Sequence, residues 1–191
     1  MSLFGLSLLA APPAFADPIP STEALLARGE VALLETKGDG RLRQVTAMGL
    51  IHAPVDTVWA KLTDFAAYKN WMPQVEQSTV ISTDGQVIVA EFSVGVVGPN
   101  VVFRASHALD AANHTIRASW VSGALQGSHW EWKLTARGSD TFVERTLYVN
   151  VVDTNWIVRQ VEDENHTLEY GINVATGVVE LRGLKKALEG G

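Results

Sequence analysis

Arg145 is the most informative polar residue of the sequence. It alternates with Val143, Leu147, Val149 and Val151, so an extended strand would carry it on an apolar face. A guanidinium buried there without an acceptor is costly. Its acceptor is either local or external. The local choices are backbone, water, or a carboxylate such as Glu162 or Glu169 in the C-terminal segment. The external choice is the head group of a bound molecule, whether carboxylate, phosphate or carbonyl. His107 sits in a similar setting, in alternation with Phe103, Ala105 and Leu109. It reads as a hydrogen-bonded core histidine, or as a residue that orients a ligand or moves a proton.

The same alternation collects aromatic rings around these two residues. Phe92, Phe103, Trp120, Trp130 and Trp132 each fall on the apolar parity of their segment. With His107, Arg145, Leu147 and, from the C-terminal segment, Ile172, they form the candidate ligand-contacting set. Rings at such positions can also fill an ordinary core, so the residues alone leave packed core and ligand cavity both open.

Other chemistries are poorly supplied. The chain has no cysteine, which removes thiolate nucleophiles, disulfides and thiolate metal sites. Its five histidines lack metal-binding spacing. No nucleophile elbow, phosphate loop or dinucleotide fingerprint occurs, so neither a metal nor a cofactor is expected. A formal net charge of -6 argues against a nucleic-acid partner and against electrostatic attachment to anionic lipid. Two Asn-x-Thr triplets, at Asn113 and Asn165, are short enough to arise by chance.

These residues need a scaffold, and the hydrophobic pattern predicts one. Strands are expected at 31–34 and 42–52 around an Asp39-Gly40 turn. Two short helices follow, one to about Thr63 and one from Asp64 that Met72-Pro73 closes. Strands then run at 75–82, 87–97, 101–109, 115–121, 129–136 and 141–152, separated by turns rich in Gly, Asn and Asp. Residues 156–188 lack proline and read as one long helix. Its apolar positions fall on two stripes: Leu168, Ile172, Ala175 and Val179, and Val174, Val178, Leu181 and Leu188. Consecutive strands joined by short turns imply an antiparallel meander, and the long helix is the only element large enough to cover one face.

Two strings carry a resemblance. GLIHAPVDTVWAKLTDFAAYKNWMPQVEQSTVI joins a strand, Ala-Pro, a helix with Val-Trp, Thr-Asp-aromatic and a proline-ended short helix. IRASWVSGALQGSHWEWKLTARGSDTFVERTLYVNV joins a Gly-containing loop, Trp-x-Trp and a late strand. The ordered set resembles the START-like polyketide cyclase/dehydratase (SRPBCC) superfamily over residues 29–188. The resemblance implies an α+β helix-grip fold: a curved antiparallel sheet wrapped around a long C-terminal helix, two short helices after the first core strand, and an apolar cavity between sheet and helix. Members hold lipids, sterols, quinones or polyketides there, and some are cyclases or aromatases. Arg145 departs from the apolar residue that the family usually carries at the matching position.

Residues 1–16 have an apolar run followed by Ala14-Phe15-Ala16, which fits a signal peptide cut after Ala16 despite the missing basic residue. Residues 17–29 then form a linker and 30–189 the ligand-binding domain. The expected function is an exported, periplasmic or secreted, monomeric binder or carrier of a hydrophobic small molecule. Segments 94–99, 123–127 and 153–156 are expected at the cavity mouth, where transient membrane contact would occur. The alternatives are a cyclase/dehydratase-like enzyme and a cargo-free protein-interaction module.

Overall fold

In the computed structural model, residues 20–95, 100–150 and 167–190 are described. After a single helical turn α1 (Thr22–Leu26), strands β1 (Val31–Thr36) and β2 (Leu42–Ile51) form a hairpin. Gly40 makes its turn possible with φ of 82°, a left-handed conformation that disfavours side chains. The Asp39 side chain accepts from the Arg41 amide at 3.0 Å and braces the same turn.

Ala53-Pro54 ends β2, and helix α2 (Val55–Thr63) follows, burying Val58 and Leu62. The second short element is a 3₁₀ helix, η1 (Phe65–Asn70), rather than an α-helix. It is tied on both sides. Tyr68 donates its hydroxyl to the Leu62 carbonyl at 2.6 Å, and Ser78 bonds the Lys69 amide and the Ala66 carbonyl.

The meander consists of β3 (Val75–Asp84), β4 (Val87–Val94), β5 (Val101–Asp110), β6 (Thr115–Gly123), β7 (His129–Arg137) and β8 (Asp140–Tyr148). Each strand pairs antiparallel with its successor. β8 then pairs with β2, giving one eight-stranded sheet of order β1-β2-β8-β7-β6-β5-β4-β3. Thr141 locks this closure through a buried 2.7 Å bond to the Ala53 carbonyl. The sheet and the C-terminal helix α3 (Thr167–Glu189) make the helix-grip arrangement. The parts of the predicted strands and helix at 96–97, 151–152 and 156–166 lie outside the described residues.

Helix α3 packs chiefly on β2, with β8 and β1 beside it. The second predicted stripe is borne out in part, with Leu181 buried and Val178 and Leu188 half-buried against the core, whereas the first is not. The buried residues of the helix are Glu169, Asn173, Gly177, Leu181 and Leu184, whereas Val179 remains exposed and Ile172 half-buried. The reason is close approach. A Cβ on Gly177 would lie 2.9 Å from Leu147 Cδ2 and 3.1 Å from Ala47 Cβ. The polar members of the stripe finish the sheet. The side chain of Asn173 accepts from the Val149 amide at 2.7 Å and donates to the Val149 carbonyl at 3.1 Å. Glu169 accepts from the Leu42 amide at 3.2 Å. A hydropathy stripe cannot find a face chosen for small size and for hydrogen bonds to strand ends.

Two glycines of α3 should therefore respond oppositely to alanine. At Gly183 a Cβ would sit 2.3 Å and 2.7 Å from atoms of the rigid Pro73 ring, whereas at Gly171 it meets nothing within 4 Å. Gly183→Ala should lose about 1–3 kcal/mol through overpacking. Gly171→Ala should gain about 0.5–1 kcal/mol from helix propensity. Urea unfolding of the two variants measures both signs.

Candidate functional site

The sheet and α3 leave a cavity over the strands that the helix does not cover. Its walls are Tyr68 and Met72 from the η1 region, Val75, Phe92 and Val94 from β3 and β4, Phe103 and His107 from β5, Trp130 and Trp132 from β7, Arg145 from β8 and Glu180 from α3. Its volume is about 60 Å³. That is room for about two water molecules at liquid density. Six residues singled out in the sequence meet at this cavity: Phe92, Phe103, His107, Trp130, Trp132 and Arg145.

The other three do not line it. Trp120 is held over the β6–β7 turn, where its indole N–H donates to the Ala124 carbonyl at 3.0 Å and the Gly123 carbonyl at 3.3 Å. A register shift between Arg104 and Ala105 accompanies this turn. Leu147 is fully buried under α3 at Gly177, on the part of the sheet that the helix covers. Ile172 lies beside the buried stripe, which passes through Asn173 instead.

Arg145 is 3% exposed and lies between Ala47 of β2 and Trp132 of β7 in the sheet. Among the described residues its partner is Glu180 rather than Glu169, and Glu162 lies outside them. One Glu180 carboxylate oxygen accepts from Arg145 Nε at 2.7 Å and from Nη2 at 2.6 Å. The guanidinium carbon also stands 4.5 Å from the Trp132 ring centre and 5.7 Å from that of Trp130. A desolvated cation over an indole face is worth about 2 kcal/mol. Among the described residues, Nη1 is buried without a hydrogen-bond partner. An unmade bond at a buried donor costs about 1–3 kcal/mol, so this N–H is primed for an acceptor.

His107 is 2% exposed and stacked in aromatic surroundings, 4.3 Å from Phe65 between ring centres and 5.8 Å from both Phe92 and Trp130. Its Nδ1 lies 3.3 Å from the Ile88 carbonyl. A carbonyl only accepts, so Nδ1 carries the proton and Nε2 keeps a lone pair. Burial lowers the His107 pKa from 6.5 to about 4, and the Arg145 charge pushes the same way against the Ile88 bond. The imidazole is therefore neutral near pH 7. Burial also raises the Tyr68 pKa far above its usual value, and its proton is committed to Leu62. The site thus offers an apolar enclosure, one neutral imidazole, and one charge-paired guanidinium with a spare donor.

Sequence reasoning missed Tyr68, Met72, Val75 and Glu180. Tyr68 and Met72, four residues apart in a short helical segment, carried a usable signal. Glu180 carried none, because nothing local ties it to a strand residue 35 positions earlier. Of the segments expected at the mouth, 96–99 and 153–156 lie outside the described residues. In 123–127, Leu125 packs half-buried against the core. Asn150 holds this turn by donating to the Gln126 carbonyl at 2.8 Å. Among the described residues, no three metal-binding side chains cluster, and no helix is long and apolar enough to cross a membrane.

Arg145→Met should destabilise the protein by about 3 kcal/mol, because it strands the Glu180 carboxylate. Adding Glu180→Leu should restore most of that loss, a coupling that urea unfolding of the single and double variants reads directly. His107 should make stability depend on pH. Its folded pKa of about 4 lies below 6.5, so the unfolded chain takes up the proton first. Its contribution is complete above pH 6.5 and lost as pH falls through 4. His107→Gln should flatten the unfolding free energy across that window.

Comparison with known proteins agrees with this architecture. Residues 51–165, more than half of the chain, match the family model described as polyketide cyclase / dehydrase and lipid transport. No curated protein matches the chain significantly in sequence. Among solved structures, a STAR-related lipid transfer protein from Xanthomonas axonopodis aligns with a TM-score of 0.66 at 17% identity, covering 84% of this chain and 94% of that one. A START superfamily protein from Mycobacterium smegmatis aligns at 0.57 and 18% identity, over 76% and 97% of the two chains. The Zhui aromatase/cyclase from a Streptomyces species aligns at 0.55 and 16% identity, over 78% and 98%. At such identities the likeness is one of fold, and it runs to a lipid transfer protein and to an aromatase/cyclase alike. The eight-stranded sheet gripping α3 and the match over residues 51–165 together show that this chain belongs to the polyketide cyclase / dehydrase and lipid transport family.

Proposed function

We propose that this chain is an exported, non-catalytic binder or carrier of a hydrophobic small molecule, held between the sheet and α3. The observation that carries the reading is the composition of the cavity: aromatic and aliphatic walls around a single buried guanidinium whose Nη1 lacks a partner. Such a site can enclose an apolar body and orient it by one polar contact, which is the general design of a small-molecule pocket. It is poorly equipped for proton-transfer chemistry. Tyr68 has committed its proton to Leu62, and Arg145 and Glu180 are paired with each other.

The cavity of about 60 Å³ is far smaller than a lipid. Drug-sized ligands occupy about 300–1,000 Å³, so loading requires the walls to part. Met72, an unbranched and adaptable side chain, and the half-buried Val75 and Val94 are the wall residues best able to yield. Removal of residues 1–16 would place the carrier outside the cytoplasm, where apolar cargo needs an escort through water. Cargo exchange at a membrane through the mouth segments, by a monomer, completes the reading.

Protein purified from its native source should carry an apolar organic molecule in native mass spectrometry and begin at Asp17. Val94→Trp, which fills the cavity wall, should abolish that bound mass while leaving the fold intact by circular dichroism. An empty native protein would contradict the carrier reading and favour a protein-interaction role. One observation favours a second reading, a cyclase/dehydratase-like enzyme: the neutral imidazole of His107 lines the same cavity as Arg145. Turnover of an aromatic polyketide that His107→Gln abolishes would establish it instead.

A further inference from the structure

The polar end of the cavity constrains the chemistry of what it can hold. Two lining residues form an ion pair, Arg145 and Glu180, in contact with each other at 2.6 Å. The remaining ionisable side chains of the wall are Tyr68 and His107. The first donates its hydroxyl to the Leu62 carbonyl, and the second is buried and neutral. The charges of the wall therefore cancel. Among the described wall residues, what remains open is one acceptor, the lone pair on His107 Nε2, and one charged donor, Arg145 Nη1, buried on a side chain that is 4% exposed.

We propose that the group recognised in this cavity is a neutral hydrogen-bond acceptor, such as a ketone, quinone or ester carbonyl, and that Glu180 sets this preference by neutralising Arg145. This inference rests on the ligand-binding reading and narrows it. The amino-acid sequence left carboxylate, phosphate and carbonyl heads equally open for Arg145. The geometry separates them. A carbonyl oxygen at Nη1 makes the missing bond to a charged donor and brings no net charge into a wall of aromatic rings. A carboxylate or phosphate at the same atom would lie beside the Glu180 carboxylate and leave the enclosure with uncompensated negative charge. Like-charge repulsion and desolvation both oppose that arrangement. A pure hydrocarbon avoids the repulsion but leaves Nη1 unsatisfied, so it forfeits the contact that distinguishes this cavity from an ordinary core. Glu180 is here a specificity-determining residue that acts through Arg145.

Three probes of matched chain length test the proposal: methyl nonyl ketone, decanoate and undecane. Each is titrated into the delipidated full-length protein at neutral pH, and tryptophan emission follows binding beside Trp130 and Trp132. The ketone should bind about tenfold or more tighter than either of the others, the affinity scale of one hydrogen bond to a charged donor. Glu180→Gln leaves the guanidinium uncompensated, so it should shift the preference towards decanoate. A purely structural role for Glu180 would weaken all three probes together. Wild-type protein that binds decanoate as tightly as the ketone, or the ketone no tighter than undecane, overturns the proposal while leaving the carrier reading standing. Binding of none of the three to wild-type protein counts against the carrier reading itself and takes this inference with it. The wild-type comparison needs no variant, so it decides the matter even if Glu180→Gln fails to fold.

Discussion

A guanidinium cannot be buried alone, and much of this molecule is arranged around that constraint. Arg145 stands on the inward face of β8, in a sheet whose neighbouring positions are Ala47 and Trp132. Its charge is met from the far side by Glu180 of α3, and its flat face by the indole of Trp132. The ion pair therefore spans the two layers of the fold. It sets the rotation of the helix at that point, because only one helix face can present a carboxylate there. It also places a polar feature inside an otherwise apolar enclosure. An isosteric apolar pair in the same place would pack as well or better, since desolvating two charges cancels much of their attraction. The pair is thus weak as a source of stability and strong as a source of polarity inside the cavity.

The second constraint is the distance at which the helix sits. α3 touches the sheet through Gly177, against Leu147 and Ala47, and the η1–β3 connection through Gly183, against the ring of Pro73. Gly49 of β2 supplies the reciprocal gap, where a Cβ would meet Leu181 Cδ2 at 2.9 Å. Closeness on this side explains the opening on the other. The helix is drawn down onto β2, β8 and β1, so the aromatic walls of β4, β5 and β7 face a space that it does not fill. Asn173 and Glu169 complete the seat with bonds to Val149 and Leu42, which satisfy backbone groups at strand ends.

Family membership and site chemistry answer different questions. The family model and the solved structures establish the scaffold, and that scaffold serves both a lipid transfer protein and an aromatase/cyclase. What distinguishes this chain is local: which of its cavity groups are already satisfied. Tyr68 and His107 each hold a backbone carbonyl, whereas Arg145 keeps one donor free.

The sequence by itself determined the strands, their order and their inward parity. Side chains alternate with a period of two along any strand, so Phe92, Phe103, His107, Trp132 and Arg145 announced their common face before any coordinates. It also determined that Arg145 needed a partner. Only the tertiary structure decided which one. Glu180 lies 35 residues away on a helix whose buried stripe mixes glutamate, asparagine and glycine with Leu181 and Leu184. The apolar periodicity of α3 therefore pointed to Leu181, which is buried, but also to Ile172 and Val179, while packing distance selected Gly177. The same limit applied to Trp120 and Leu147. Parity assigns a residue to a face but not to a place along it, and the place depends on where the helix lands. Hydropathy reports the affinity of a side chain for water. The position of a helix on a sheet is set by how closely two surfaces can approach and by which polar groups must be paired when they do.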